Sequence, residues 1–291
     1  MADPSLASAP ISENLSVRLC AETVRRNDRD RYLAVLHAPP DRREALLALY
    51  AFNLELALVR ESVSESTLGL IRFQWWRETL DGVFAGGAVR HHAVAMALAG
   101  AVRRHGLGRE SFDRLIDGRE FDLEDRQPES LDTLAAYAGM TAGTLCELAL
   151  AVLGVRDAVA AEAARHAGTA YGLAGLLRAV PFHAAQQRVY LPSVPMRVHG
   201  ATPSDLFGGG GPAISRVVAD VARRAQDHLH AARQYSSVVP KEALPGLLPL
   251  VLAEHDLRRL ERAGFDVFAL RPGVPVVRQI RLMWAASRGR Y

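Results

Sequence analysis

The sequence predicts an all-α protein. Apolar residues recur along nearly the whole chain at the three- and four-residue spacing of core-facing helices, and Gly and Pro residues separate these segments. No convincing run alternates apolar and polar residues as a half-buried strand does. The chain has 291 residues, 49% of them hydrophobic, which is enough for one large core or two closely packed halves. We expect a single bundle of about ten helices.

The domain prediction is a flexible tail over residues 1–15 followed by one helical domain over residues 16–291. The first helix is predicted over residues 17–37. Asp41, with Glu44 three residues later, is a capping pattern that opens the next helix. The later helices are predicted at 67–84, 92–104, 111–123, 131–153, 157–180, 212–238, 240–263 and 275–287.

Two breaks in this helix pattern need an interpretation, one at Pro181 and one at residues 208–211. The helix over 157–180 is expected to stop at Pro181, because proline lacks the backbone N–H that a continuing helix uses. Gly208–Gly211 is the only linker-like run, and since helices flank it we interpret it as a surface loop.

Composition excludes several classes of protein. The net charge is +3, and no run of five basic residues indicates nucleic-acid binding. Cys20 and Cys146 lie far apart and outside zinc-type spacings, which favours a reducing compartment. The N-terminus does not resemble a signal peptide, and no apolar run reaches the roughly 18 residues of a membrane span. No segment shows the basic apolar face of an interfacial helix, so we expect a soluble or at most peripheral protein.

Common catalytic motifs are absent from the sequence. There is no Gly-x-Ser-x-Gly elbow, no P-loop and no Gly-x-Gly-x-x-Gly fingerprint. His91 and His92, like His228 and His230, are too close in sequence to share one helix face, so they predict no metal site.

Five segments in order carry a family resemblance. They are Tyr50-Ala51-Phe52, Trp76-Arg77-x-x-Leu80, Leu115-Ile116-Asp117-Gly118-x-Glu120-x-Asp122, Tyr137-x-x-x-Thr141-Ala142-Gly143, and Leu177-Arg178 followed by Arg188-Val189-Tyr190-Leu191-Pro192. Together they resemble the squalene/phytoene synthase family, all-α enzymes that join two prenyl diphosphates head to head. The resemblance covers about residues 17–287 and implies the isoprenoid-synthase bundle around a central cavity.

Members that make squalene or phytoene hold Mg²⁺ with two Asp-x-x-x-Asp motifs. The resemblance places the first on Ala57 and Glu61 and the second on Ala179 and His183, so one carboxylate of four remains. An Arg usual in the first motif's helix is Leu54 here. Alanine offers Mg²⁺ no ligand and histidine is a poor one. We therefore expect no metal or other cofactor and no confident catalytic residue.

Other parts of the family site remain. The resemblance gives Arg178 and Arg188 as diphosphate or anion contacts, and Tyr50 and Tyr190 as cavity residues. Each arginine has an equally good interpretation as an ion-pair partner of a neighbouring helix. Tyr50 is equally well a buried core aromatic, and His183 a helix cap or a partner of a loop carbonyl.

Three stretches favour one branch of the family. They are Leu177-Arg178-Ala179-x-Pro181-Phe182-His183, residues 52–65 and residues 69–76. They resemble the branch that contains a mitochondrial assembly factor of respiratory complex I. This implies a catalytically silent assembly or scaffold factor for complex I (NADH:quinone oxidoreductase), with its subunits or other assembly factors as partners. The location implied is the cytoplasm or, peripherally, the inner face of the membrane.

Two alternatives remain open. One is an active prenyl transferase that condenses two prenyl diphosphates with Mg²⁺ held by a different carboxylate set, Glu61 with Glu120 and Asp122. The other is an isoprenoid or lipid carrier that uses the inherited cavity and holds an anionic head group with Arg178 and Arg188.

Overall fold

A computed structural model describes residues 13–124, 126–270 and 273–291. Within these ranges the chain is helical and contains no strand, which confirms the predicted all-α class. Helix α1 begins at Glu13, inside the predicted tail, and residues 1–12 of that tail lie outside the described ranges.

Among the described residues there are sixteen α-helices. They are α1 (Glu13–Asn27), α2 (Arg29–Val35), α3 (Pro40–Ala57), α4 (Val59–Ser62), α5 (Ser66–Phe84), α6 (Ala93–His105), α7 (Arg109–Glu120), α8 (Leu131–Ala138), α9 (Thr144–Val152), α10 (Ala158–Ala185), α11 (Ser193–Val198), α12 (Pro203–Phe207), α13 (Pro212–Gln234), α14 (Leu244–Leu247), α15 (Pro249–Arg262) and α16 (Pro275–Arg288). A short 3₁₀ turn at Phe121–Leu123 extends α7, and another at Lys241–Ala243 precedes α14. A π-helical turn at Gly139–Gly143 joins α8 to α9.

The first predicted helix is two helices. Asp28 caps α2, because its carboxylate accepts the backbone N–H of Arg31 at 3.2 Å and also pairs with the Arg31 guanidinium at 2.6 Å. The cap predicted at Asp41 was wrong. Helix α3 begins one residue earlier, at a proline whose missing N–H costs nothing there, and the Asp41 carboxylate pairs with the Arg42 guanidinium at 3.0 Å.

Helix α10 does not stop at Pro181, as the sequence suggested, but runs on to Ala185. A proline removes one helical hydrogen bond, yet packing on both sides of it keeps the turns together here, since Val180 and Ala184 are buried. The helix ends in a Schellman motif, in which the N–H of Arg188 donates to the carbonyl of His183 at 2.9 Å and the N–H of Gln187 donates to Ala184 at 3.0 Å.

Short helices α11 and α12 were not predicted. Both are under two turns long, too short for a periodic apolar pattern. Helix α12 carries a capping box between Thr202 and Asp205 that the sequence could have revealed. The glycine run 208–211 is a loop between α12 and α13, as predicted.

The core is centred on α10, which packs along α13, α15, α9 and the π-helical turn. One buried cluster joins α1, α3, α5, α6 and α7, another surrounds α10, and α9 contributes to both. The approach of α10 to the π-helical turn depends on Gly168, where a Cβ atom would lie 2.3 Å from the carbonyl oxygen of Ala142.

One described segment is long and apolar enough to cross a membrane, contrary to the expectation that no segment is. The helical stretch from Leu131 to Val152 passes that test by length and composition alone, and 67% of its apolar window is buried inside the fold. A core helix shows the same combination, so the segment is weak evidence for a membrane span.

Candidate functional site

The four positions that the resemblance assigns to the acidic motifs lie on three helices. Ala57 is the last residue of α3, and Glu61 is an exposed residue of α4. Ala179 and His183 are four residues apart on α10, so they share one face. Among the described residues, no three His, Cys, Asp or Glu side chains are grouped so as to hold a metal ion. Of the four positions only exposed Glu61 offers a carboxylate, so this donor set does not fit the two-motif Mg²⁺ site, in which carboxylates and substrate phosphates together give octahedral geometry.

The central cavity beside Ala179 is small. It has a volume of about 180 Å³, below the roughly 300 Å³ at which small-molecule pockets begin. Side chains of α2, α3, α7, α8 and α10 line it, among them Arg31, Asn53, Arg119 and Tyr171.

Tyr50, predicted in the cavity, is a buried core residue. The guanidinium of Arg31 lies 5.6 Å from the centre of its ring and 4.8 Å from the centre of the Tyr171 ring. The same guanidinium pairs with Asp28, so the charge that reaches the interior has its counter-ion within the chain.

The predicted anion contact Arg178 belongs to an ion-pair cluster of two arginines and two aspartates from this chain. Its Nη1 lies 2.8 Å from Oδ2 of Asp256 on α15 and 3.4 Å from Oδ2 of Asp30 on α2. Arg278 of α16 completes the cluster, with Nη1 2.6 Å from Oδ1 of Asp256 and Nε 2.9 Å from Oδ1 of Asp30. Asp30 and Asp256 therefore contact the guanidinium of Arg178. The resemblance assigned this contact to a diphosphate or another anion.

The electrostatics of this cluster favour the ionised carboxylates. Burial acts to raise the pKa of Asp30, but the hydrogen bond and charge of Arg278, with the charge of Arg178, outweigh it and hold that pKa below its usual value. The Tyr171 hydroxyl donates a further hydrogen bond to Asp30 at 3.2 Å. Sequence reasoning missed Asp30, Asp256 and Arg278, because nothing local to each residue indicates partners that lie up to 248 positions away.

A larger cavity of about 720 Å³ opens beside this cluster, between α2, α10, α15 and the start of α16. The arginine–aspartate cluster forms part of its wall, and Leu177, Leu257, Leu260 and Phe182 form an apolar part. Its volume is within the range of small-molecule sites.

Asp122 is the centre of a second polar cluster. Its Oδ1 accepts hydrogen bonds from the hydroxyls of Tyr137 at 2.8 Å and Tyr190 at 3.0 Å, and its Oδ2 lies 3.3 Å from Nη1 of Arg119. Burial raises the pKa of both tyrosines, so they are neutral donors. The Asp122 carboxylate is thus committed to partners inside the chain.

The alternative carboxylate set does not form. Asp122 is occupied as described, Glu120 pairs with Arg77 at 2.7 Å, and Glu61 is on the exposed surface of α4. The structure does not bring these three side chains together as metal ligands. That interpretation was wrong because spacing alone did not show which arginines and tyrosines take up the carboxylates.

His183 packs against Tyr190, with ring centres 4.4 Å apart. Burial lowers its pKa, and the charge of Arg188 adds to this effect despite Asp122 nearby. Its Nδ1 is buried without a hydrogen-bond partner among the described residues. The side chain fills the space between α10 and the segment that follows it.

Arg188 and Arg178 line different cavities. Arg188 lies in a cleft of about 570 Å³ with Arg60, Arg126 and Tyr190. No described carboxylate forms an ion pair with Arg188. The two arginines therefore do not form one anion site, and of the two, Arg178 is the one that has ion pairs with described carboxylates.

Known proteins resemble this chain in sequence and in fold. A family model described as "Squalene/phytoene synthase" matches residues 24–281. The chain is 38% identical over 252 residues to "NADH dehydrogenase (ubiquinone) complex I, assembly factor 6" of Bos taurus, covering 86% of this chain and 75% of the relative. It is 26% identical over 242 residues to presqualene diphosphate synthase of Sinorhizobium fredii, covering 82% and 83%. The crystal structure of a squalene synthase from Alicyclobacillus acidocaldarius superposes with a TM-score of 0.77 at 22% identity, covering 89% of this chain and 98% of that one, which shows a shared fold.

Proposed function

The chain belongs to the squalene/phytoene synthase family, and from that premise we propose that it is an assembly factor for respiratory complex I that carries out no prenyl transfer. The observation that carries the proposal is that the chain is more similar in sequence to a complex I assembly factor than to a synthase of the same family. Identity is 38% to a complex I assembly factor and 26% to a presqualene diphosphate synthase, over comparable lengths.

The chemistry of the site supports the second part of the proposal, that the protein carries out no prenyl transfer. Loss of a diphosphate leaving group depends on cations that neutralise the developing charge. Ala57 and Ala179 supply no metal ligand, and Arg178 already has two carboxylate partners. Without a metal and with this arginine neutralised, ionisation of a prenyl diphosphate loses its main electrostatic stabilisation.

We further propose subunits of complex I or other assembly factors as the partners, and no nucleic acid. The protein acts in the cytoplasm, peripherally at the inner face of the membrane that holds complex I, without a span of its own. This location follows from the proposed function, because an assembly factor works where its complex is built.

A deletion strain tests the proposal. Without this protein, assembled complex I on native gels should be lost, and the wild-type gene should restore it. A copy with Ala57→Asp and Ala179→Asp should restore it equally well, because no chemistry at those positions is required. A deletion strain that retains a normal amount of assembled complex I would rule the assembly role out.

A carrier of an isoprenoid or other lipid is the second candidate, favoured by the cavity of about 720 Å³ with its charged and apolar walls. Native mass spectrometry of the purified protein tests it. A bound isoprenoid or lipid that dissociates only on unfolding would support the carrier, and a protein at its bare sequence mass would count against it.

A further inference from the structure

The outward face of α16 is a continuous apolar stripe. Val276, Ile280, Met283 and Trp284 lie at i, i+4, i+7 and i+8 on one side of the helix. Each is between 54% and 60% exposed. Scattered exposed apolar residues are ordinary on a protein surface, but a contiguous stripe of this kind marks an interaction surface.

The opposite face holds the helix to the fold. Leu282 and Ala285 are buried in a cluster with residues of α2 and α15, and Arg278 reaches Asp30 and Asp256. This anchoring fixes which side of α16 points outward. The apolar stripe is therefore a built surface feature and not a frayed helix end.

The charged side chains of α16 and of the residues after it have one sign. Residues 273–291 contain four arginines and no acidic residue. Arg278 is used internally, whereas Arg281, Arg288 and Arg290 are exposed and form no ion pair with a described carboxylate. The Arg288 guanidinium lies over the Trp284 ring, 4.3 Å from its centre, so the cation is placed at the edge of the stripe.

We propose that α16 docks this protein onto an anionic lipid bilayer surface. Apolar side chains and a tryptophan on one face, bordered by arginines on a segment that contains no acidic residue, are what an interfacial helix needs. A flat bilayer accepts such a convex stripe without a matching groove, and its negative surface attracts the flanking cations. The inference names a surface for the proposed peripheral location, but it does not rest on the assembly role, since it is argued from this surface alone.

The sequence had suggested that no segment carries a basic apolar face. Helix α16 corrects that expectation. Both of its faces are apolar, so the sequence alone does not distinguish the face that packs on α15 from the face that remains exposed.

Sedimentation with lipid vesicles tests the docking surface, using phosphatidylcholine with and without phosphatidylglycerol. The wild-type protein should bind the anionic vesicles, and salt should weaken the binding. Arg281→Gln with Arg288→Gln should lower the partition coefficient about fivefold per arginine. Ile280→Ser should lower it about tenfold. Trp284 emission should shift to shorter wavelength on binding, because its indole enters an apolar region.

Matched variants on other helices are the controls. Arg18→Gln with Arg103→Gln removes two exposed charges from α1 and α6, and Ile71→Ser removes an exposed apolar side chain from α5. These should bind vesicles like wild type, and circular dichroism should show every variant folded.

Three results would overturn the proposal. The first is no binding to anionic vesicles, and the second is equal loss of binding in the control and α16 variants. The third is an effect of the α16 variants only on self-association or on capture of a protein partner. That last result would assign the stripe to a second copy of the chain or to another protein.

Discussion

Asp256→Asn tests whether internal carboxylates hold Arg178. The Asp256 side chain is 6% exposed and contacts Arg178, which is 40% exposed, and Arg278, which is 13% exposed. Removing one partner of a buried ion pair costs about 3–5 kcal/mol. We expect the lower end, about 3 kcal/mol, because Arg178 can be rehydrated and Arg278 keeps its contact with Asp30.

Thermal unfolding measures this loss. An unfolding entropy of about 2.1 cal/mol/K per residue over 291 residues gives roughly 0.6 kcal/mol/K, so the melting temperature should fall by about 5 °C. Glu110→Gln is the matched control, since it breaks an exposed pair with Arg114 and should cost less than about 1 kcal/mol.

Ligand response gives a second readout. If Asp256 occupies the place of an anion, the Asp256→Asn protein should be stabilised by inorganic diphosphate, by about 2.7 kcal/mol at a hundredfold excess over its dissociation constant. Wild-type protein should not respond. An Asp256→Asn protein as stable as the Glu110→Gln control, with no response to diphosphate, would refute this description of the cluster.

Three further predictions concern the same region. Asp30 has its folded pKa held below the unfolded value of 3.8, so its stabilising contribution is complete above pH 3.8 and is lost as pH falls through the lower folded pKa. The difference in unfolding free energy between wild type and Asp30→Asn should therefore shrink in acid, and a difference that stays constant with pH would contradict this. Gly168→Ala should destabilise by about 3 kcal/mol or more in urea unfolding, because its Cβ would overlap the Ala142 carbonyl, whereas Gly175→Ala meets nothing closer than 3.8 Å and should gain up to about 1 kcal/mol of helix propensity. Gln187→Gly should stabilise by about 1 kcal/mol in the same assay, because residue 187 has φ of 57° at the end of α10, and a destabilised protein would show that the glutamine makes a compensating contact.

The helical class could be predicted because the pattern that reveals it is local. The three- and four-residue spacing of apolar side chains determines which face of a helix is buried, wherever the partner comes from. Local signals such as a proline predicted the wrong helix end where tertiary packing determines how far the helix continues. Pro181 weakens α10 by one hydrogen bond, and the buried residues on both sides of it keep the helix continuous.

The sequence could indicate only part of the candidate site. The resemblance assigns the acidic-motif positions by spacing along the chain, and the structure places two of them, Ala179 and His183, on one face of α10. The partners of Arg178 could not be found, because Asp30 and Asp256 come from α2 and α15 and meet only in the folded protein. The sequence shows which charged residues the chain has, and only the fold shows which of them pair with one another.

Turnover of prenyl diphosphates tests the central claim most directly. The purified protein is incubated with farnesyl or geranylgeranyl diphosphate and Mg²⁺ or Mn²⁺, beside an active squalene synthase as positive control. We predict no squalene, phytoene or presqualene diphosphate above the protein-free background, because Ala57 and Ala179 supply no carboxylate for Mg²⁺ and Arg178 is paired within the chain. Formation of any of these products at an enzymatic rate would contradict the claim that the former active site is silent.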